Sequence, residues 1–187
     1  MKLLHTMLVA VFMLVASTSV HAGKMAKSKE PLVVAPDKAT IVFMRPGKFV
    51  GAAIAVPVFD VTTPETTFVG LVEAGSKVAY SVPPGEHLFM TTVFGGAAGV
   101  RFYKVIVEAG KTYYFRAHII EGIWGLAPVR STMGAELAGW DKGTDLTVNS
   151  PKTMAWYEEN KASVAEKRAM KPEVIADANT LRIEDGR

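Results

Sequence analysis

The chain has 187 residues, of which 49% are hydrophobic and 21% charged, with a formal net charge of +3 and no cysteine. So small a charge excess, with no dense basic block, excludes the phosphate-neutralising patch that nucleic-acid binding requires. The lack of cysteine excludes disulfides, thiolate zinc sites, cysteine nucleophiles and a lipoprotein anchor, so we expect the fold to depend on its hydrophobic core.

The first 22 residues have the order of a secretory signal peptide. Lys2 precedes an apolar run over 3–16, and small residues then end at Val20-His21-Ala22, which predicts cleavage after Ala22. The alternative is an uncleaved membrane anchor, but the apolar run is shorter than the roughly 20 residues that span a bilayer. We therefore expect a periplasmic or secreted protein with no transmembrane helix after signal cleavage.

Composition divides the remainder into four segments, which together have the length of one domain. Residues 23–38 are rich in Lys, Pro and small residues and are expected to form a flexible tether. Residues 39–149 carry short β-branched and aromatic runs between Gly and Pro turns, which is typical of an antiparallel β-sandwich. A C-terminal helix over 150–171 and a tail over 172–187 follow. Strands are predicted over 40–44, 55–61, 67–72, 77–82, 87–94, 100–108, 112–120 and 124–131.

The clearest predicted pairing is a hairpin between strands 100–108 and 112–120, with Ala109-Gly110 as its turn. In that register, the alternation of side chains defines two faces. The face expected in the core carries Phe102, Ile106, Tyr113, Phe115, Ala117 and Ile119. The opposite face carries the candidate ligand-binding residues Arg101, Tyr103, Tyr114, Arg116 and His118.

This cationic and aromatic stripe is suited to stacking on sugars or to holding an anionic group. The alternative is an ordinary solvated or helix-covered sheet face, because antiparallel sheets commonly have one polar face.

The C-terminal helix is predicted from its start signal. Ser150 is a suitable N-cap, and Pro151 suits the first helical position because its missing N–H costs nothing there. Pro172 ends the helix. Helical spacing indicates a flank that packs on the domain, formed by Met154, Tyr157, Lys161 and Val164.

Few residues could carry catalysis. Only His87 and His118 follow the signal, and there is neither a Gly-x-Ser-x-Gly elbow nor a metal-binding His pair, so we expect no enzyme, no cofactor and no metal site. We expect His87 to bond the backbone of the preceding turn. A carbohydrate-active enzyme with paired carboxylates is the alternative. Its acidic pair would come from Asp60, Glu73, Glu121, Glu136, Asp141 and Asp145.

Several turn signatures between about residues 39 and 137 occur together in a fixed order. They are Arg45-Pro46, Phe49-Val50-Gly51, Val69-Gly70-Leu71, Gly75-Ser76-Lys77 before Tyr80, Pro83-Pro84-Gly85-Glu86-His87 and Ala109-Gly110-Lys111-Thr112-Tyr113-Tyr114. Their order and spacing resemble a family of exported bacterial proteins, domain of unknown function 2846, which is similar to transthyretin-like and PEGA-type β-sandwiches. The resemblance implies a β-sandwich and supplies no catalytic residue. This chain differs by lacking a lipid-anchor cysteine and by a longer turn over 62–66.

These observations predict a non-enzymatic binding or interaction module of the cell envelope. We expect its partner to be an envelope protein or a glycan, bound through the exposed sheet face and the C-terminal helix. The oligomeric state is left open by the sequence.

Overall fold

The computed structural model describes residues 25–47, 53–92, 99–120 and 123–187, and the signal peptide predicted over 1–22 lies outside them. Within these ranges the chain forms eleven strands and two helices. The strands are β1 (Ala26–Lys27), β2 (Ala39–Arg45), β3 (Val56–Asp60), β4 (Thr67–Val72), β5 (Ser76–Val82), β6 (Gly85–Thr92), β7 (Val100–Val107), β8 (Thr112–Ile120), β9 (Ile123–Pro128), β10 (Asp145–Val148) and β11 (Thr180–Leu181). The helices are α1 (Gly134–Lys142) and α2 (Pro151–Arg168), and short 3-10 turns cover Asp177–Asn179 and Ile183–Asp185.

The strands form two sheets. Sheet 1 has the order β1-β10-β5-β2-β8-β9, and sheet 2 has the order β11-β7-β6-β3-β4. The pairs β10–β5, β2–β8 and β11–β7 are parallel and the others are antiparallel. The prediction of a mainly β fold with a C-terminal helix is confirmed, and both sheets are mixed.

All eight predicted strands are present as β2 to β9, and most of their ends agree within one or two residues. The end of the strand predicted over 87–94 lies outside the described residues. Four elements were not predicted, namely β1, α1, β10 and β11. Each of these strands has four residues or fewer, too short for a periodic pattern.

The main core lies between the two sheets and is rich in aromatic rings. Phe43 of β2 stacks on Phe115 of β8 at 5.5 Å between ring centres and meets Phe89 of β6 edge-on at 5.2 Å. Tyr103 of β7 meets Phe115 edge-on at 5.5 Å. The Phe43–Phe89 and Tyr103–Phe115 pairs join the two sheets, because each has one ring from sheet 1 and one from sheet 2.

Helix α2 packs on the outer face of sheet 2, and the predicted helix start is confirmed. The hydroxyl of Ser150 accepts a hydrogen bond from the Thr153 backbone N–H at 3.1 Å. Tyr157 stacks on Phe68 of β4 with 5.0 Å between ring centres. Met154, predicted on the packed flank, is 40% exposed instead, and Thr153 is buried in its place.

Helix α1 packs on the outer face of sheet 1. Its Leu137 joins Val42, Met44 and Val129 in a small second cluster, separate from the main core. Val42 and Met44 alternate along β2 with residues that face the main core, so both faces of this strand are buried. Among the helices of the described residues, none is long and apolar enough to cross a membrane.

The hairpin predicted between strands 100–108 and 112–120 is wrong. β7 pairs with β6 and β11 in sheet 2, whereas β8 pairs with β2 and β9 in sheet 1. The turn therefore crosses from one sheet to the other, and the Lys111 ammonium lies 2.7 Å from the Glu108 carboxylate there. The alternation of apolar and polar residues could not show that β7 and β8 lie in different sheets, because Phe102 and Tyr103 on opposite faces of β7 are both buried.

Part of the segment 23–38, predicted as a tether, belongs to the fold. β1 pairs with β10, and Met25 is buried in the main core. The Met25 backbone N–H also donates to the Glu73 carboxylate at 3.2 Å. Residues 25–27 are therefore built into the domain as an edge of sheet 1.

The predicted tail over 172–187 is also built into the domain. β11 adds to the edge of β7, and Leu181 is fully buried. The Asp185 carboxylate accepts hydrogen bonds from the guanidinium of Arg130 at 2.9 Å and from the Ser131 backbone N–H at 3.2 Å. This tail closes one edge of the sandwich.

Candidate functional site

The structure separates the five residues predicted as a ligand-binding stripe. Arg101 and Tyr103 lie on β7 in sheet 2, whereas Tyr114, Arg116 and His118 lie on β8 in sheet 1. Tyr103 is fully buried in the main core. The single shared face predicted for these residues does not exist, because its hairpin does not form.

Tyr114, Arg116 and His118 remain together, and we call them the β8 row. Their neighbours on the strand, Tyr113 and Phe115, are fully buried and face the main core. The row therefore lies on the outer face of sheet 1, the face that α1 packs on. All three of its side chains are half-buried.

The guanidinium of Arg116 lies over the indole ring of Trp140 of α1. Its central carbon lies 4.7 Å from the centre of the indole ring, within the range of a cation–π interaction. Trp140 itself packs against the second cluster. Its contact with Arg116 was missed because α1 was not predicted.

A sequence signal for α1 does exist. Met133, Leu137 and Trp140 follow helical spacing, and all three belong to the second cluster. Gly134 and Gly139 obscure it, since glycine disfavours a helix by about 1 kcal/mol relative to alanine.

The C-terminal end of α1 is held by polar contacts. The Lys77 ammonium of β5 donates to the Asp141 carboxylate at 2.6 Å and to the Asp141 backbone carbonyl at 3.0 Å. The Thr144 hydroxyl donates to the Trp140 carbonyl at 3.0 Å. These bonds hold the end of α1 that carries the indole over which Arg116 lies.

Burial shifts the pKa values of the other two side chains in the β8 row. It lowers the pKa of His118, an effect to which the charge of Arg116 adds and which a backbone contact with the Arg116 carbonyl opposes. It raises the pKa of Tyr114, and the nearby Asp141 carboxylate adds to that rise. Both shifts favour the uncharged forms, so the row presents a phenol and an imidazole on either side of the guanidinium.

Arg116 differs from other arginines in how its guanidinium is used. Within the described part of the chain it has neither a hydrogen-bond acceptor nor a carboxylate partner, and its contact is the indole. By contrast, Arg130 and Arg182 are paired with carboxylates, and Arg168 binds a turn. The N–H donors of Arg116 are therefore held in place by the fold but make no hydrogen bond within the described residues.

His87 has the structural role predicted for it. Its Nε2 lies 2.8 Å from the Pro83 carbonyl, to which it donates, and its Nδ1 lies 3.5 Å from the Thr62 hydroxyl. The Thr62 hydroxyl in turn accepts from the Leu88 backbone N–H at 3.0 Å. The imidazole therefore ties the start of β6 to two turns.

The acidic residues considered as a catalytic pair are engaged in local contacts. Asp141 and Asp145 form ion pairs with Lys77 and Lys27, at 2.6 and 2.9 Å. The Asp60 carboxylate accepts from a turn N–H, and that of Glu73 from the Met25 N–H. Glu136 is exposed on α1, and Glu121 lies outside the described residues. These contacts give no support to a catalytic pair.

A second surface feature lies on the far side of the molecule. A groove of about 510 Å³ separates β7 from the segment after α2, and Val100, Phe102 and Ile175 are among its lining residues. Met170 and Val174 on its rim are 49% and 78% exposed. This groove is mainly apolar, whereas the β8 row is polar.

A scan of the chain against protein-family models finds no match, and a search of curated proteins finds no similar sequence. Across the described ranges, no group of three or more His, Asp or Glu side chains is arranged to hold a metal ion.

Proposed function

We propose that this chain is an exported, non-enzymatic binding module of the cell envelope and that the β8 row is its binding surface. The observation that carries the proposal is the guanidinium of Arg116, which lies over the indole of Trp140 on α1 and has no counter-charge among the described residues. A guanidinium that is already held in place loses little conformational freedom when it binds an anion. Its N–H donors, which the fold does not use, can then bind that anion.

Export is supported by the N-terminal pattern, in which Lys2, an apolar run and Val20-His21-Ala22 follow the order of a signal peptide. The absence of catalytic function is proposed because the acidic residues that could form a pair contribute to local contacts instead. The resemblance to the family of domain of unknown function 2846 stays a prediction.

The second surface expected from the sequence was the C-terminal helix. α2 buries Tyr157 against Phe59 and Phe68 of sheet 2, with 6.0 and 5.0 Å between ring centres. Its exposed side carries charges of both signs, such as Glu158 and Lys161, which lie 3.4 Å apart. Charges that neutralise each other attract a charged partner weakly, so we place the binding surface on the β8 row.

Site-specific photocrosslinking in intact cells tests this proposal. A photoreactive amino acid would replace His118 in one version of the full chain and the exposed Ala162 of α2 in a matched control. We expect a discrete crosslinked product from position 118 and none from position 162. Digestion of the product with proteases or with glycosidases identifies the partner as a protein or a glycan.

Products from position 162 alone would assign binding to α2 and contradict the surface proposed here. The binding function itself would be overturned if neither position gave a product while the chain was folded and exported.

A further inference from the structure

The N–H donors of Arg116 are unused within the described part of the chain. The central carbon of the guanidinium lies over the indole of Trp140, and none of its planar N–H groups has an acceptor among the described residues. A planar guanidinium can bind both oxygens of one carboxylate through two parallel hydrogen bonds.

The charges around Arg116 favour an anion from outside the chain. Asp141 is the carboxylate that follows Trp140, and it is bound to Lys77 at 2.6 Å. Burial favours the uncharged forms of Tyr114 and His118. The net charge presented by the β8 row is therefore that of one unneutralised guanidinium.

The neighbours of Arg116 add hydrogen-bonding groups on both sides. Tyr114 and His118 are two residues away in either direction, which is about 7 Å along a strand. The phenol donates and accepts, and the imidazole presents Nε2, since its Nδ1 lies 3.4 Å from the Arg116 carbonyl. A ligand that uses all three groups carries a carboxylate with hydroxyl groups on both sides.

From this arrangement we infer that the β8 row binds a carboxylated sugar, with the carboxylate on Arg116 and ring hydroxyls on Tyr114 and His118. This inference rests on the proposed binding function and specifies its ligand class. A simple phosphate or an aliphatic acid would use the guanidinium alone, and an uncharged sugar would leave the guanidinium unpaired.

Isothermal titration of the purified protein tests the inference. The probe is tetragalacturonate, and a neutral cellotetraose of the same length is the control ligand. We expect saturable binding of the acidic tetramer and none of the neutral one. R116Q should weaken binding by about tenfold or more, because charge-assisted hydrogen bonds are lost.

K142Q is the matched control variant, since it removes one exposed positive charge from α1 and leaves the contact between Arg116 and Trp140 in place. It should change the affinity by less than about twofold, because exposed charges contribute little. R116K retains the positive charge but lacks the planar guanidinium, so it should also weaken binding. It replaces R116Q as the test if R116Q does not fold.

Equal losses in R116Q and K142Q would overturn the inference, because binding would then follow net charge alone. A glutamate-rich peptide that binds as tightly, and through Arg116, would assign the site to an acidic protein instead. If tetragalacturonate does not bind while crosslinking at position 118 still captures a partner, the sugar is wrong and the binding function stands. If neither tetragalacturonate binding nor a crosslink at position 118 is detected, the proposed binding function is wrong as well.

Discussion

The hydroxyl of Tyr103 accepts a hydrogen bond from the backbone N–H of Leu126 at 2.9 Å and so joins the two sheets. Leu126 lies on β9, the last strand of sheet 1, where one side of the backbone has no neighbouring strand among the described residues. A buried N–H on that side requires an acceptor, and Tyr103 of sheet 2 supplies it. The residue predicted for a ligand-binding face is thus part of the core.

Tyr103→Phe should lower the free energy of unfolding by about 1–3 kcal/mol, because the buried N–H of Leu126 loses its acceptor. Urea denaturation of the two proteins measures this change. Tyr114→Phe is the control, since the Tyr114 hydroxyl has no hydrogen bond within the described ranges. It should change stability by no more than about 0.5 kcal/mol. Equal effects of the two changes would contradict the role assigned to Tyr103.

Asp185→Asn should destabilise the chain by about 3 kcal/mol. The Asp185 side chain is 4% exposed, and removing its charge leaves the guanidinium of Arg130 without its partner at 2.9 Å. The expected loss is at the lower end of the range for buried pairs because Arg130 is 36% exposed. Asp177→Asn, which removes the exposed partner of Arg182, should cost less than about 1 kcal/mol in the same denaturation series. A smaller loss for Asp185 than for Asp177 would refute this account of the tail.

Arg168→Ala should loosen the turn over 61–66 without unfolding α2. The guanidinium of Arg168 donates to the Thr66 hydroxyl at 3.1 Å and to the carbonyls of Thr63 and Pro64. Amide hydrogen exchange should therefore become faster in the turn and stay slow in the middle of the helix. Lys167→Ala, one residue earlier, should leave the turn as slow as in the parent chain. Unchanged exchange in Arg168→Ala would show that the turn is held by other contacts.

The stability of the fold should depend on the titration of His118. Burial lowers the pKa of this imidazole below its ordinary value of 6.5, so the unfolded chain binds the proton more readily than the folded chain. The free energy of unfolding should therefore decrease as the pH falls below about 6.5, and this contribution should level off below the folded-state pKa. Urea midpoints between about pH 8 and pH 5 measure the decrease. His118→Gln should lack this part of it, and identical pH profiles for the two proteins would contradict the prediction.

The strands were predictable because each is a short apolar run between turns that contain Gly or Pro. The start of α2 was equally local, since Ser150 and Pro151 form a capping signal within adjacent residues. α1 was missed because Gly134 and Gly139 lower helix propensity while its packing on Val42 and Met44 compensates. That compensation comes from residues about ninety positions away, which no local pattern contains.

The β8 row of the candidate site was also predictable. Tyr114, Arg116 and His118 share a face because alternate residues of any strand do, whichever strand lies beside them. The position of Trp140 against Arg116 depends on α1 and was therefore outside the reach of sequence patterns.

By itself the sequence determined which segments become strands, where α2 begins and which side chains alternate along each strand, since these depend on neighbours within a few residues. Only the tertiary structure decided that β7 and β8 enter different sheets, that Tyr103 is buried and that Arg116 meets an indole. A turn has the same local chemistry whether it returns the chain to its own sheet or carries it to the other. Which sheet the chain enters depends on how apolar surface is buried across the whole domain. In this domain α2 and the tail cover one outer face, and α1 packs on the other.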